Sequence, residues 1–225
     1  MTKNAMLERV LEPEVMDDRQ ESIMYDQMDH QVVNQRFVDD MIAFGPVQGR
    51  ILDLGTGTAR IPILICEAVE HCRVMACDLA VTMLDIAKLN IAIAGFETRI
   101  QLYHGDAKSL DCQDDECDWV ISNSLIHHLP YPASAFQHAL RVLRPGGRVF
   151  IRDLFRPESQ EAIESIVSTY AAEEPPENQQ LLRQSLAAAL SLREVRELVQ
   201  SCGFPVESVQ QSSDRHWTWA AVKPS

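Results

Sequence analysis

The feature that most limits the possible folds is a short apolar strand that leads directly into a glycine-containing turn and then into a helix. The strand covers residues 50–54, and the sequence GTGT follows it at 55–58. Apolar residues then recur at helical spacing over 61–69. Glycines permit a sharp turn and let a ligand approach the amino end of a helix closely. An apolar strand broken by one carboxylate, Asp53, is typical of a parallel sheet with both faces covered.

The same alternation of strands and helices continues along the chain. The apolar pattern predicts further strands at 73–77, 99–103, 118–123 and 148–153. It predicts further helices at 26–44, 81–94, 132–143 and 191–202, and two helical stripes within 157–190. The first 20 residues look irregular, and Arg144-Pro-Gly-Gly is expected to end a helix.

Strands that alternate with helices form right-handed crossover units, which fixes the expected architecture. The sequence therefore predicts an α/β protein with a doubly wound, seven-stranded and mostly parallel sheet. The last two strands, near 206–210 and 216–222, are expected to form an antiparallel C-terminal hairpin at the edge of that sheet.

Composition limits the possible partners. The chain has 20 Lys and Arg residues against 33 Asp and Glu residues, a formal net charge of −13. This balance argues against nucleic acid and against an anionic membrane, because both require a positive surface. No apolar run approaches the ~18 residues of a membrane span, and the amino terminus lacks the pattern of a secretory signal. We therefore expect a cytoplasmic protein, either a monomer or a homodimer.

The cysteines and histidines give no spacing typical of a metal site, so no metal is expected. None of the six cysteines forms a C-x-x-C pair. Cys66 and Cys77 lie within apolar patterns and are predicted to be core residues. Cys112 and Cys117 flank an acidic loop and are either ordinary reduced thiols or a reactive pair.

A second carboxylate strengthens the case for a nucleotide-like ligand. Asp78 ends the second predicted strand, 23 residues after Gly55. At this position of a doubly wound sheet, a carboxylate accepts hydrogen bonds from ribose hydroxyls. A role for Asp78 as the amino-terminal cap of the next helix is compatible with that function.

Two classes of ligand compete for the glycine turn. A dinucleotide requires the pattern G-x-G-x-x-G, but the sixth position here is Arg60. Asp53 would also repel a pyrophosphate, whereas it suits a cationic ligand. S-adenosylmethionine carries an ammonium and a sulfonium and has no phosphate, so it fits better. A nicotinamide-dependent oxidoreductase stays open as an alternative.

Five segments, taken in order, resemble the class I S-adenosylmethionine-dependent methyltransferases. They extend from about residue 50 to residue 153 and comprise ILDLGTGTAR, the strand-end Asp78, HGDAKSL, DWVISNSLIHHL and RVLRPGGRVF. The segment SLREVRELVQSCGF and the closing strands are also similar to the carboxyl-terminal half of that family. The resemblance implies a Rossmann-like fold and S-adenosylmethionine as cofactor, with S-adenosylhomocysteine as its product.

The resemblance assigns the methionine end of the cofactor to the glycine turn. It implies that Asp53 holds the methionine ammonium, directly or through water. Gly55, Thr56 and Gly57 would pack against the methionine moiety, and Asn123 at the end of the fourth strand would also contact the cofactor.

The resemblance assigns the nucleoside end to the next two strand ends. It implies that Asp78 binds the ribose hydroxyls and that Leu79 and Met83 lie against the adenine ring. Asp106 would accept a hydrogen bond from the adenine amino group, with Ala107 beside it.

The fourth strand leads into Ser122-Asn-Ser-Leu-Ile-His-His128, which bears on the acceptor. Methyltransferases of DNA and of protein amides have an Asn/Asp-Pro-Pro-aromatic motif there, and this chain has none. The Asn…His-His form resembles small-molecule members, such as those of quinone biosynthesis and small-amine methylation. His127 or His128 is a candidate general base. The alternative is that one satisfies local backbone groups and the other faces solvent.

Two further residues are candidates for contact with substrate or cofactor. Arg152, at the end of the fifth strand, would clamp an acceptor carboxylate or else form a salt bridge to a neighbouring acid. Tyr25 precedes the first long helix, which in this family covers the methyl end of the cofactor; it would lie near the sulfonium or be a simple lid contact.

We therefore expect one methyltransferase domain over residues 1–225 that transfers a methyl group to a small-molecule acceptor. Its parts would be an N-terminal helical lid at 1–45, a cofactor-binding core at 46–156, a helical insertion at 157–190, and a C-terminal helix and strands at 191–225. The protein mainly aligns the acceptor, the methyl group and the sulfur while it excludes water. A non-catalytic, S-adenosylmethionine-binding regulatory protein is the other alternative.

Overall fold

The computed structural model describes residues 7–12, 15, 17–28 and 30–224. Within these ranges it contains eight α-helices and seven strands. The helices are α1 (Arg19–Gln27), α2 (Gln31–Phe44), α3 (Arg60–Ala68), α4 (Val81–Ala94), α5 (Ala133–Val142), α6 (Gln160–Tyr170), α7 (Pro176–Ala188) and α8 (Leu192–Ser201). The strands are β1 (Gly49–Leu54), β2 (Cys72–Asp78), β3 (Ile100–His104), β4 (Cys117–Asn123), β5 (Leu143–Leu154), β6 (Val209–Gln211) and β7 (His216–Val222). Short 3₁₀ turns cover Ile126–His128 and Val206–Ser208.

The seven strands form one sheet in the order β3-β2-β1-β4-β5-β7-β6. Strand β1 pairs in parallel with both β2 and β4, and β2 pairs in parallel with β3. Strands β7 and β6 are neighbours joined by only four residues, 212–215, a length that permits only an antiparallel hairpin. The doubly wound, seven-stranded sheet with its carboxyl-terminal hairpin is thereby confirmed.

The chain divides into two compact units. The first, here called the glycine-loop unit, comprises 15–123, 132–151 and 219–224. The second, here called the histidine unit, comprises 7–12, 124–131 and 152–218. No helix within the described ranges combines the length and the apolar character needed to cross a lipid bilayer.

Each unit has its own hydrophobic core. In the glycine-loop unit, apolar residues of α2 and α3 pack with those of the first strands; Phe37 meets Phe150 edge to face at 5.2 Å between ring centroids. In the histidine unit, one face of α6 packs against α7 through Ile163, Val167 and Leu186, each at most 2% exposed. Burial of apolar area of this kind is the main contribution to the stability of each unit.

The amino-terminal region differs from the prediction. The helix expected over 26–44 is two helices, and α1 occupies residues that were expected to be partly irregular. Asp18 caps α1 by accepting hydrogen bonds from the amides of Gln20 and Glu21, at 2.8 and 3.0 Å. Only Ser22 of α1 is buried. A helix this polar has no apolar stripe, and periodicity therefore did not predict it.

The preceding helix ends before Arg144-Pro-Gly-Gly as predicted, at Val142, but the strand expected at 148–153 starts earlier, because β5 begins at Leu143 and runs through this segment. The amide of Gly146 donates to the carbonyl of Lys223 at 2.9 Å, and the amide of Lys223 donates to the carbonyl of Gly147 at 2.8 Å. The residues after β7 therefore supply the pairing that keeps this Pro-Gly-Gly segment in the sheet.

All six cysteines are free thiols. Cys66, Cys77 and Cys117 are buried, in agreement with the core positions predicted for the first two. Burial raises the pKa of Cys117 to about 12 and also raises the pKa of Cys112. Because the thiolate is the reactive form, these shifts favour ordinary reduced thiols over a reactive pair.

The predicted capping box at the start of α8 is present. The Ser191 hydroxyl accepts from the amide of Glu194 at 3.3 Å, and the Glu194 carboxylate accepts from the amide of Ser191 at 2.7 Å. We expect Ser191→Ala to lower the free energy of unfolding by about 1 kcal/mol, because it leaves a helix amide without its acceptor. Urea unfolding of this variant measures the loss. Ser201→Ala, at the exposed end of the same helix, is the matched control and should change stability by less than about 0.5 kcal/mol.

Candidate functional site

The glycine turn after β1 is held in shape by the backbone and by one carboxylate. Gly55 and Gly57 have φ values of 70° and 54°, the left-handed region that side chains with a Cβ rarely adopt. The amide of Thr56 donates to the carbonyl of Cys77 at 2.9 Å. The amide of Gly57 donates to Asp78 Oδ2 at 2.7 Å, and that of Ala80 donates to Asp78 Oδ1 at 2.9 Å. Asp78 therefore links the glycine turn to Ala80, the N-cap residue of α4. Because Ala80 occupies the N-cap position, the predicted role of Asp78 as that cap is wrong.

Asp53 is a buried carboxylate beside this turn. It is 2% exposed, and no donor among the described residues reaches its Oδ2. Burial, together with repulsion from Asp78, raises the pKa of Asp53 to about 7. Burial also raises the pKa of Asp78, although amides such as that of Ala80 partly offset the shift. A buried and a half-buried carboxylate, both with raised pKa values, favour a cation near the glycine turn.

Tyr25 lies against the glycine turn, on α1. A Cβ placed on Gly57 would lie 3.8 Å from the Tyr25 ring. Burial raises the pKa of this phenol, and the carboxylates of Asp78 and Asp26 raise it further. Helix α1 is fastened here by a bidentate ion pair of Asp26 with Arg60, at 3.0 and 2.8 Å, and by a hydrogen bond from Asn90 to Asp26 at 3.0 Å.

The residues assigned to the nucleoside end lie on neighbouring strand ends. Residue Asp78 of β2 is in register with His104 of β3, so the loop that holds Asp106 follows directly beside it. Asp106 accepts from the amide of Lys108 at 2.8 Å, which closes a tight turn. Leu79 is 37% exposed, whereas Met83 and Ala107 are buried.

Asn123 ends β4, next to β1. Ser122, the residue before it, is in register with Leu54, and its hydroxyl donates to the Leu54 carbonyl at 2.8 Å. Asn123 therefore lies at the carboxyl edge of the parallel strands, where open α/β sheets bind ligands. The glycine-loop unit thus gathers Asp53, the glycine turn, Asp78, Asp106 and Asn123 at one edge.

The histidine unit contains a buried ion pair between His127 and Asp153. His127 Nδ1 lies 2.6 Å from Asp153 Oδ1, and the side chains are 4% and 1% exposed. Asp153 also accepts from the amides of Ile126, His127 and Leu154. Burial opposes ionisation of Asp153, but attraction to His127 outweighs it and lowers the Asp153 pKa. Burial would lower the His127 pKa, but Asp153 and Glu12 outweigh it and raise that pKa.

A second acid, Glu12, lies beside both histidines. Its Oε1 is 3.3 Å from His127 Nε2 and 3.1 Å from His128 Nδ1. Arg9 fastens the same segment, because its guanidinium donates to the carbonyls of His127 at 3.1 Å, Leu129 at 3.0 Å and Ala188 at 2.6 Å. Sequence reasoning missed Arg9 and Glu12, since nothing in the irregular first residues indicates a contact more than 100 residues away.

Arg152 is buried in the histidine unit at 6% exposure. Its Nε donates to the Thr218 hydroxyl at 2.8 Å, and its carbonyl accepts from the amide of Ser124 at 3.0 Å. These contacts fix the side chain along the sheet. The role of Arg152 as an acceptor clamp stays a prediction.

Comparisons with known proteins agree with this geometry. Residues 52–151 match the family model described as a methyltransferase domain. The chain is 33% identical over 116 residues to a demethylmenaquinone methyltransferase of Clavibacter sepedonicus, an alignment covering 51% of this chain and 45% of that protein. It is 26% identical over 195 residues to a 27-O-demethylrifamycin SV methyltransferase of Amycolatopsis mediterranei, covering 84% of this chain and 67% of the relative.

A solved structure shows the same fold over most of the chain. The crystal structure of a SAM-dependent methyltransferase from Aquifex aeolicus superposes with a TM-score of 0.69 and 19% identity, covering 91% of this chain and 98% of that one. The chain spans about half the length of the first curated relatives it matches, at 45% of each. The glycine turn, the strand-end acids and the matched segment lead to one conclusion. Residues 52–151, somewhat less than half of the chain, match a methyltransferase domain, and the chain has the fold of a solved SAM-dependent methyltransferase.

Proposed function

We propose that this chain transfers the methyl group of S-adenosylmethionine to a quinone-related small molecule. The observation that carries the proposal is the buried Asp53 beside the glycine turn, whose Oδ2 has no donor among the described residues, together with the half-buried Asp78 that holds the turn. The proposal of a quinone-related acceptor is supported by relatives over this segment whose names specify demethylmenaquinone or the biosynthesis of ubiquinone and menaquinone.

The residues present fit the cofactor. The donor-free Oδ2 of buried Asp53 suits an ammonium, and a backbone turn built on two glycines leaves room for close approach. Asp53 would hold the ammonium, with Gly55, Thr56 and Gly57 against the methionine chain and Asn123 nearby. When bound, the cofactor supplies an electrophilic methyl group on a sulfonium, so the protein supplies mainly binding, alignment and exclusion of water.

The other end of the cofactor would lie along the next strand ends. Asp78 would accept the ribose hydroxyls, while Leu79 and Met83 contact the adenine ring. Asp106 would accept from the adenine amino group beside Ala107. Tyr25, held against Gly57 by α1, would cover the methyl end.

His127 is the candidate base. Asp153 holds its Nδ1 at 2.6 Å, which makes Nε2 the basic nitrogen of the neutral imidazole. Nε2 lies 3.3 Å from Glu12 Oε1, so an acceptor hydroxyl or acidic carbon would take the place of that carboxylate before its proton passes to the neutral ring. His128 is the less favoured candidate, because its side chain is 25% exposed. We assign choice of acceptor to the lid at 1–45, to the insertion at 157–190 and to Arg152.

Calorimetric titration with S-adenosylmethionine, S-adenosylhomocysteine, NAD and NADP tests the first step of the proposal. We expect micromolar binding of the two sulfur compounds and none of the nicotinamides. Transfer of labelled methyl to a panel of demethylated quinones and their reduced forms tests the second step. Nicotinamide binding would support an oxidoreductase, and cofactor binding without transfer to any acceptor would support a regulatory role.

The raised pKa of Asp53 predicts a pH-dependent affinity for the cofactor. Because the pKa of Asp53 is about 7 in the free protein, most of this carboxyl is neutral at pH 6. A bound ammonium favours the ionised form, so affinity should rise with pH, by about five- to tenfold between pH 6 and pH 7.5.

Calorimetry in two buffers of different ionisation enthalpy measures this effect and the proton released on binding. Asp53→Asn is the matched variant, since it keeps the shape and cannot ionise. It should bind more weakly at pH 7.5 and lose the pH dependence. An unchanged slope in Asp53→Asn would show that another group titrates.

A further inference from the structure

Three potential metal ligands converge in the histidine unit. They are the Glu12 carboxylate, His127 Nε2 and His128 Nδ1, and these atoms all lie within 4.8 Å of one another. We propose that Glu12, His127 and His128 bind one divalent transition-metal ion, with zinc the best match to this set. Carboxylate and imidazole donors are typical zinc ligands, and two histidines with one acid recur in zinc enzymes.

The spacing of the ligand atoms fits a small tetrahedral ion. Zinc lies ~2.0–2.2 Å from nitrogen and oxygen ligands, so two ligands of a tetrahedron are about 3.3 Å apart. Glu12 Oε1 is 3.3 Å from His127 Nε2 and 3.1 Å from His128 Nδ1. The two imidazole rings lie side by side, with centroids 4.2 Å apart and planes inclined at 34°. All three ligand atoms lie within 4.8 Å of one another, so a bound ion would require only a modest approach of the two ring nitrogens.

The surroundings of His127 match those of a metal ligand. A ligating histidine usually donates its other ring nitrogen to a carboxylate, which fixes the ring and increases its basicity. Asp153 takes that place at 2.6 Å from Nδ1, and three backbone amides hold Asp153 in turn. Ser185 donates to the Glu12 carboxylate at 3.3 Å and orients the second ligand. With Asp153 at His127 Nδ1 and Ser185 at the Glu12 carboxylate, His127 Nε2 and Glu12 Oε1 still face each other.

The charges also favour a cation. Glu12 and Asp153 are acids with side chains 8% and 1% exposed, and the charged groups near them are Arg9, Arg156 and Glu194. Arg9 directs its guanidinium to backbone carbonyls, and Arg156 forms a bidentate pair with Glu194 at 3.0 Å. Neither arginine therefore neutralises Glu12 by direct contact. A metal ion would place a positive charge between Glu12 and the two imidazoles.

The proposed metal and the proposed general base would use the same atom, His127 Nε2. Nε2 of His127 cannot ligate a metal and accept a proton at once, so an occupied site and a free base exclude each other. With three protein ligands, a tetrahedral zinc keeps one position for water or another small ligand.

Metal binding is measured without cofactor or acceptor, and its outcome is therefore independent of the methyl-transfer proposal. Sequence spacing gave no sign of this site, because Glu12 lies 115 residues before His127.

The test is a titration of the chelator-treated protein, residues 1–225, with Zn²⁺ in competition with a chromophoric chelator. We expect one ion per chain. Co²⁺ in place of Zn²⁺ should give the intense visible bands of four-coordinate cobalt. Glu12→Gln and His128→Ala should each weaken binding by more than about tenfold, and Asp153→Asn by about 10–100-fold through loss of the outer contact.

The control is His71→Ala, which removes an exposed histidine of the glycine-loop unit and should leave the affinity unchanged. Circular dichroism verifies that each variant is folded. Absence of a saturable site would overturn the proposal. It would also be overturned if the Glu12→Gln and His128→Ala variants, shown to be folded, bound Zn²⁺ as tightly as the parent, since binding would then be adventitious.

Discussion

Replacement of His127 by glutamine is expected to lower the turnover of methyl transfer by about 10²–10⁴-fold, the usual contribution of a positioned general base. Affinity for S-adenosylmethionine should stay within about twofold, because the residues assigned to the cofactor belong to the glycine-loop unit. Glutamine is chosen because its amide can still donate to Asp153. Alanine would leave that buried carboxylate without its ion-pair partner and cost about 3–5 kcal/mol of stability.

The measurement is single-turnover transfer of labelled methyl in metal-free enzyme, with cofactor affinity determined in parallel by calorimetry. Asp153→Asn tests the positioning of the base and should reduce turnover while the cofactor still binds. The exposed histidine variant His71→Ala is the control for removal of an imidazole. If His127→Gln retained full turnover, His127 could not be the base. If His128→Ala instead lost turnover, the role would pass to His128.

The glycine turn could be predicted from the sequence because its signals are local. A strand, two glycines with positive φ and a helix follow one another within about 20 residues, and each has its own residue pattern. The location of Asp78 beside the glycine turn could be predicted in the same way, since the carboxyl ends of adjacent parallel strands meet at one edge. A second role for Asp78 was predicted as the cap of the next helix, but the N-cap of α4 is Ala80, and Asp78 instead accepts from the amides of Ala80 and Gly57.

The surroundings of the histidines could not be predicted, because they depend on distant segments. Glu12 and Arg9 come from a stretch without apolar periodicity, and they meet His127 only in the folded chain. The sequence places Asp153 at the end of a predicted strand, but it does not indicate that His127 is the partner of this acid. A contact between distant segments leaves no periodic residue pattern in the sequence. Only the tertiary structure therefore shows which acid faces which imidazole.

The differences in secondary structure have a similar cause. Helix α1 is stabilised by its cap at Asp18 and by the contacts of Asp26 with Arg60 and Asn90, rather than by an apolar face. Strand β5 begins at Leu143 and runs through the Pro-Gly-Gly segment at 145–147, because Lys223 pairs with that segment. In both places tertiary contacts outweigh local propensity, which is a weak determinant when partners are available.

Removal of the Asp78 carboxylate should weaken binding of S-adenosylhomocysteine by about 1.5–3 kcal/mol, or roughly 10–150-fold, the cost of lost hydrogen bonds to a charged group. The physical reason is twofold. Asp78→Ala would remove the proposed acceptor of the ribose hydroxyls, and it would also release the amides of Gly57 and Ala80 from their acceptor. The affinity of the variant alone therefore does not separate contact with the ribose from support of the turn.

A double-mutant cycle with the ligand separates these two effects. Calorimetry would compare S-adenosylhomocysteine with its 2′-deoxy analogue on the parent and on Asp78→Ala. If Asp78 binds the ribose, the deoxy analogue binds the parent at least about fivefold more weakly, and this difference disappears in the variant. If Asp78 only supports the turn, both ligands lose affinity equally and the difference persists. Asp85→Ala, which removes an exposed acid from the neighbouring helix α4, controls for the change in net charge and should leave both affinities unchanged.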